Sequence, residues 1–477
     1  MRLPKYDFGA IQVPPFCNGK VMPVDLTEWE SSGRVSDFCD SELAYFLKQI
    51  QNGFTITFVN TQYIHHQITK SQPNNKTEQD HTHQTADLLF QNLDQFLEGH
   101  LHVYPAHVDE LVGDLVQSDP SITCFIADTF HTWPETIANK YNLVNVSFWT
   151  QPALVLSIYY HLDLLRQNSH FGFHDKREDS IDYIPGVQAI EPKDLMSHLQ
   201  ATDLSSPMLR TICKAFHEVK RADFILINTV QELESETLSA LHEKQATYAI
   251  GPVFPSEPTK SIVATNLMSE FDCTQWLKSK PHGSVLFISF GSYVQVTTKD
   301  FEEIAHGLLL SKVSFIWVLR PDTTSYEETN ILPVGFDDEI KDRGMIVPWC
   351  SQIKVLSHPA VGGFLTHCGW NSVLESMWCG VPMLCFPLWT DQITNRKLVV
   401  DDWGIGLNIC DGVKPITRVE VAEKINHVMS GKLGHGLQKE IKNVRQTMED
   451  ALTLNGSSQK NFFQFLSDVK TKVQTRN

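Results

Sequence analysis

Short apolar runs of strand length recur along the chain, each followed by a stretch in which apolar residues return every three or four positions. In the first half the runs fall at residues 8–13, 54–59, 122–127, 145–148, 222–228 and 248–250. Helix-spaced apolar positions lie between them: Leu43, Phe46, Leu47 and Ile50, then about 85–97, 107–116, 153–165 and 232–242. The second half repeats the plan, with strands expected at 284–289, 315–319, 345–347, 361–366, 382–386 and 405–407. Helices are expected there at 301–311, from Trp370 onward, and at 419–429, 437–452 and 457–470. Strands apolar on both faces that alternate with helices predict parallel sheets covered by helices. Residues 70–84 are polar, and 166–206 keep neither period; both predict loops, and the second is of the kind that shapes a ligand pocket.

The alternation runs once before Gly251-Pro252 and once after it, with Pro255, Pro258 and the polar residues to about 265 reading as a linker. The expected fold class is α/β, two Rossmann-like halves facing a cleft, and the length of 477 residues agrees with two domains. A formal net charge of −17 argues against a nucleic-acid or anionic-membrane partner. It also means that an anionic ligand must be held by local N–H groups. The ten cysteines are scattered with no C-x-x-C pair, as in a chain of reduced thiols. His358, His367, Cys368, Cys379 and Cys385 fit no common zinc spacing, so no metal is expected. No apolar run approaches the roughly 18 residues needed to cross a bilayer, and the start lacks a signal-peptide plan. A cytoplasmic monomer with no membrane span is expected.

The chemistry concentrates between Trp349 and Gln392. Residues 361–366 form an apolar run, His367-Cys368-Gly369 a turn, and Trp370 opens a helix with Asn371, Ser372 and Glu375 in and just past its first turn. A helix N-terminus offers free N–H groups and the positive end of its dipole, which suits a phosphate. His367, Asn371 and Ser372 add donors there. Glu375 can accept from vicinal hydroxyls such as those of a ribose, Trp349 offers a flat face to a base, and Asp391 with Gln392 offers acceptors and donors to a sugar. Ser372 and Glu375 as mere helix caps, with the tryptophans in the core, is the plain alternative for any single residue; the whole set together favours a nucleotide-sugar site.

This window closely resembles the donor-binding signature of plant family 1 UDP-glycosyltransferases. The core T-H-C-G-W-N-S-x2-E-S and the final Asp-Gln carry the resemblance; Cys350-Ser351 stands where the family usually has alanine then proline. The resemblance covers the chain from about Gly53 onward. It implies the GT-B fold, with an acceptor domain over 1–250, a UDP-sugar domain over 251–456, and a last helix over 457–477 returning to the first domain. It implies UDP-glucose as co-substrate with no further cofactor, and a small lipophilic acceptor such as a phenolic or flavonoid. Trp349 would stack on uracil, with Cys350 and Gln352 at the base or ribose and Glu375 on the ribose hydroxyls. Ser292, His367, Gly369, Trp370, Asn371 and Ser372 would surround the phosphates. Asp391 and Gln392 would bind the sugar, with Thr150 near it. Asp128, at the end of a strand, falls where the family has its catalytic aspartate.

The family's catalytic histidine follows a glycine just after the first strand. Here the matching turn reads Gly19-Lys20-Val21-Met22-Pro23, with Lys20 in the histidine's place, and Gly33-Arg34-Val35 lacks it too. A lysine beside a carboxylate stays charged and is a poor base. His65, His66 and His131 are expected as loop or helix-surface residues. Residues 1–40 are atypical, either a remodelled acceptor site or sequence joined from elsewhere. Two readings follow: an inverting glucosyltransferase, or a homologue that binds nucleotide sugar with transfer impaired. A dinucleotide oxidoreductase is disfavoured because Gly404-x-Gly406 lacks the third glycine, with Ile409 in its place.

Overall fold

The computed structural model describes residues 23–25, 57–59, 93–173, 177–201, 204–253, 271–291, 296–320, 332–409 and 415–476. Twelve strands lie among the described residues. β1 (Pro23–Asp25) and β2 (Thr57–Val59) pair antiparallel with each other. Of the run at 54–59, expected in a parallel sheet, the described residues 57–59 belong to a separate two-stranded unit. The strand expected at 8–13 lies outside the described residues.

Two parallel sheets carry the molecule. The first has the order β3 (Cys124–Asp128), β4 (Val144–Trp149), β5 (Phe224–Ile227), β6 (Thr247–Ala249). Every residue of β4, β5 and β6 is buried, as befits strands covered on both faces. The second sheet holds β7 (Val285–Ser289), β8 (Ser314–Val318), β9 (Gly344–Val347), β10 (Val361–Thr366), β11 (Met383–Cys385) and β12 (Gly406–Asn408). Its order is β12-β11-β10-β7-β8-β9. The chain thus builds outward from β7 to β9, returns to the other side of β7 with β10, and builds outward again. Between β7 and β10 the loops at the strand ends diverge to opposite faces, and an open crevice forms at the carboxyl edge. Thr366 pairs with Ser289, so the loops after β10 and β7 leave the sheet at one level.

Residues 153–165, expected as one helix, form two, Ala153–Tyr160 and Leu162–Gln167, which meet at His161. The helix Pro207–Val219 was not foreseen, although its signals are orthodox: Ser206 caps the Leu209 amide, Pro207 opens the first turn, and Leu209, Ile212, Phe216 and Val219 repeat at helical spacing. The last helix, Ser457–Arg476, lies against the first sheet and buries Phe462, Phe465, Leu466 and Val469 among Val144, Val146, Phe224 and Tyr248. Among the described residues no helix is long and apolar enough to cross a membrane.

Candidate functional site

One imidazole lies between the loops that follow β7 and β10. His367 follows β10 and is buried, and its Nε2 edge lies between two glycines. A Cβ on Gly291, after β7, would stand 2.6 Å from His367 Nε2, and one on Gly369 would stand 2.5 Å from the same atom. Gly291 has φ +73°, so a larger residue there would be strained as well as blocked. Burial, then the charge of Arg320, pushes the His367 pKa down to about 4, against a Ser289 backbone group that favours the charged form. The ring is therefore neutral at pH 7. Nδ1 has no hydrogen-bond partner among the described residues.

The turn after His367 is held from both sides. Cys368 takes the left-handed region at φ 66°, with its amide donating to Thr366 Oγ1 at 3.1 Å. Its carbonyl accepts from Asn395 Nδ2 at 2.9 Å. Gly369 then opens the helix Trp370–Cys379 with no side-chain cap, which leaves the first-turn amides available to a ligand. Asn371 is half-buried and Ser372 buried on that first turn.

Gln352 opens the helix Gln352–Leu356, and its Nε2 donates to Ser372 Oγ and to Glu375 Oε2, both at 2.9 Å. Three residues assigned to the nucleotide are thereby one network. Trp349 and Cys350 precede this helix. The Trp349 carbonyl accepts from the Phe271 amide at 2.9 Å, and the indole Nε1 is buried with no partner among the described residues. Cys350 is buried.

Asp391 and Gln392 lie where the helix Gln392–Lys397 begins, and both are buried. Asp391 Oδ2 accepts from Asn395 Nδ2 at 2.7 Å and Oδ1 from Thr390 Oγ1 at 3.3 Å. Burial pushes the Asp391 pKa up to about 6, against these two hydrogen bonds. Gln392 Oε1 accepts from the amides of Leu388 and Trp389, each at 3.0 Å. Its acceptor thus braces its own turn, and the side chain has only its amide N–H groups to offer a ligand.

In the other half, Asp128 closes β3 opposite Phe148, and Thr150 follows β4, so both stand at the carboxyl edge of the first sheet. Asp128 Oδ1 accepts from the Phe130 amide at 2.7 Å. Thr150 is buried. His131 lies in the loop between β3 and the helix Pro134–Lys140, in keeping with the loop expected there, and is half-buried: its ring stacks on Trp133 at 4.5 Å and on His100 at 5.0 Å, and its Nδ1 is 3.3 Å from His100 Nε2. Burial holds both rings neutral, His131 well below its usual range and His100 at about 4.

The two halves meet at the site. The Trp370 Nε1 donates 2.7 Å to the carbonyl of Asn228, at the end of β5. Lys20, Ser292, His65 and His66 lie outside the described residues. Two residues were missed in the sequence. Asn395 ties Cys368 to Asp391, and Arg320 places a buried cation near His367. Arg320 had the same signal as Asp128, a charged residue directly after an apolar strand, whereas Asn395 had none beyond its helical distance from Asp391. Among the described residues no cluster of three or more His, Cys, Asp or Glu could hold a metal ion.

Comparison with known proteins agrees with this geometry. Residues 259–435 match the family profile described as UDP-glucoronosyl and UDP-glucosyl transferase. The chain is 52% identical over 452 residues to UDP-glycosyltransferase 86A1 of Arabidopsis thaliana, covering 90% of this chain and 91% of the relative. UDP-glycosyltransferase 86A2 of the same plant is 50% identical, covering 90% and 92%. Among solved structures, Phytolacca americana UGT2 complexed with UDP-2fluoro-glucose and pterostilbene aligns with a TM-score of 0.75 at 27% identity, covering 91% of this chain and 98% of that one. Os79 from O. sativa in complex with UDP aligns with a TM-score of 0.68 at 26% identity, covering 81% and 86%.

Proposed function

The chain belongs to the plant family 1 UDP-glycosyltransferases, a GT-B enzyme family, and on that premise we propose that it transfers glucose from UDP-glucose, with inversion, to a hydroxyl of a small lipophilic acceptor such as a phenol or flavonoid. What supports this most is the crevice at the carboxyl edge of β7 and β10, where an uncapped helix N-terminus, a buried neutral His367 and the Gln352–Ser372–Glu375 network converge. In this reading Trp349 stacks on uracil and Cys350 presents its backbone to the base. Glu375, oriented by Gln352, takes the ribose hydroxyls. The amides of Gly369, Trp370 and Asn371, the Ser372 hydroxyl and the Ser292 loop surround the diphosphate. Charge that develops on departing UDP is stabilised by donors already in place, so little reorganisation accompanies the step. Asp391 and the Gln392 amide take the glucose hydroxyls, with Thr150 beside them. The same reading divides the chain into an acceptor part over 1–250, a donor part over 251–456 and the returning segment 457–477. The ligands of Phytolacca americana UGT2, a fluorinated UDP-glucose and pterostilbene, fit the proposed donor and acceptor classes.

A second reading has its own observation. Lys20 stands at the expected base position in the sequence, and His131, three residues after Asp128, is neutral and engaged with His100, itself neutral. Donor binding with impaired transfer is the consequence if no other group takes the acceptor proton. One experiment separates the two: UDP-glucose with a pooled panel of phenols and flavonoids, read by mass spectrometry, for the chain and its Lys20→His variant. Glucosides from the unaltered chain are expected on the first reading, and glucosides from the variant alone on the second. UDP bound by neither protein would overturn both.

A further inference from the structure

Behind the proposed base site two cysteines touch. The hydrogen bond from the Phe271 amide to the Trp349 carbonyl, 2.9 Å, lays residues 271–273 alongside 349–351. This brings the thiol of Cys350 onto the sulfur of Cys273. Neither is in a disulfide, and both are buried, at 4% and 3% exposure. Cys273 lines a cleft of about 150 Å³ whose walls include Phe271, Thr274, Ser351, Lys354 and His358, and whose rim carries the half-exposed Phe271 ring.

We propose that Cys273 and Cys350 are a modification site, oxidised by a peroxide to a disulfide that weakens nucleotide binding at the adjoining turn 349–352. The inference rests on the donor-site reading for its effect, though not for the cross-link. Cys273 is the attacking sulfur, because the hydrogen bond from Cys350 favours its thiolate, against burial. The thiolate attacks one peroxide oxygen, the O–O bond breaks, and the departing hydroxide takes up the thiol proton as water, leaving a sulfenic acid on Cys273. The Cys350 sulfur then attacks that sulfur, the S–O bond breaks, and a second water leaves with the Cys350 proton. Two thiols are oxidised and one hydrogen peroxide is reduced to two waters. A dithiol reductant reverses the reaction.

A second thiol contact, Cys368 with Cys385, has a different character. Both are fully buried, neither lines the cleft, and burial followed by the Cys385 contact raises the Cys368 thiol well above its usual range. It stays reduced and serves as an internal control. At 273 and 350, drawing the sulfurs from contact to a bond of about 2 Å pulls the Cys350 backbone toward the cleft. Trp349 and Gln352 flank that residue, so the base platform and the Ser372–Glu375 network move with it. A displacement of that kind weakens UDP on the order of tenfold.

The test uses the full chain, reduced or treated with hydrogen peroxide, with peptide mapping without reductant and UDP titration by calorimetry. A linked Cys273–Cys350 peptide is expected, together with weakened UDP binding that dithiothreitol restores. Cys273→Ser is expected to keep the reduced affinity and lose the peroxide effect, and Cys350→Ala, the family's usual residue there, to lose the link. Absence of the link, a link with unchanged UDP affinity, or equal peroxide sensitivity in Cys273→Ser each overturns the proposal. A linked chain that binds no UDP even after reduction overturns the donor-site reading, and with it the effect, while the cross-link stands.

Discussion

Asp391 shows how one residue can be set against the fold that holds it. Its carboxyl is buried, its pKa rises from the ordinary 3.8 to about 6, and the bonds from Asn395 and Thr390 offset only part of the burial cost. A carboxyl whose folded pKa lies above its unfolded one binds its proton more tightly in the native state. That contribution to stability is present below the unfolded pKa and is lost as pH rises through about 6. At pH 7 the charge costs about 3 kcal/mol. Asp391→Asn should therefore raise the thermal midpoint at pH 7, and the difference from the unaltered chain should vanish near pH 4. The same change should raise the UDP-glucose KM by roughly 10-fold or more, because a hydroxyl acceptor is lost. A variant neither more stable at pH 7 nor weaker for donor would remove Asp391 from the sugar site. His367 presents the reverse case, a base held neutral by burial beside the proposed phosphate position.

At the level of elements, the last helix binds the two ends of the fold. Phe462 and Phe465 enter the first sheet's core, Tyr248 Oη donates to Asp468 at 2.5 Å, and Asn461 donates 2.9 Å to the Ala249 carbonyl. Phe465→Ala should destabilise the chain by about 3–5 kcal/mol, read by chemical denaturation. A loss below about 1 kcal/mol would mean that the helix is a passenger. This element, like β10 and the helix at Trp370, was legible in the sequence because its apolar residues keep a clear period. The signature turn was legible to the residue: the strand ends at Thr366 and the helix opens at Trp370, as the small residues between them require. Pro207–Val219 was passed over because it follows a long irregular segment, although cap, proline and periodicity were all present. His161 interrupts a run whose apolar pattern continues through it, and periodicity alone does not register such a break. Side-chain partners were the least legible feature. That Gln392 spends its oxygen on its own turn, or that Gln352 joins Ser372 to Glu375, depends on distances that only the folded chain defines.

Across the whole molecule, the halves are joined beside Asp391 and Gln392. Asp194, in the first half, pairs with Arg396, whose second branch reaches Asp401 at 2.9 Å. Thr394 Oγ1 donates 2.7 Å to the Asp194 carbonyl, and Ser197 Oγ accepts from the Thr390 amide at 2.8 Å. Asp194 is buried, and burial raises its pKa even with Arg396 beside it. Arg396→Met would strand that carboxylate, a loss on the order of 3–5 kcal/mol. The expected result is a lower thermal midpoint at pH 7 that recovers partly on acidification, as Asp194 takes up a proton, and a lower kcat from halves that no longer settle in one arrangement. A variant with unchanged midpoint and kcat would show that the clamp is dispensable.

The bond from Trp370 to the Asn228 carbonyl bears on how relatives of this chain can be recombined. It runs from the first turn of the helix Trp370–Cys379 to a main-chain oxygen of the opposite half, so it depends on where the chain passes and not on which side chain stands at 228. Hybrids that take the first half from one relative and the second from another therefore need no particular side chain at 228 for this bond, although Asn228 Oδ1 separately accepts from the Val253 amide at 2.8 Å. They cannot vary in the length of the loop after β5, since one added residue would move the oxygen and tilt the helix Trp370–Cys379.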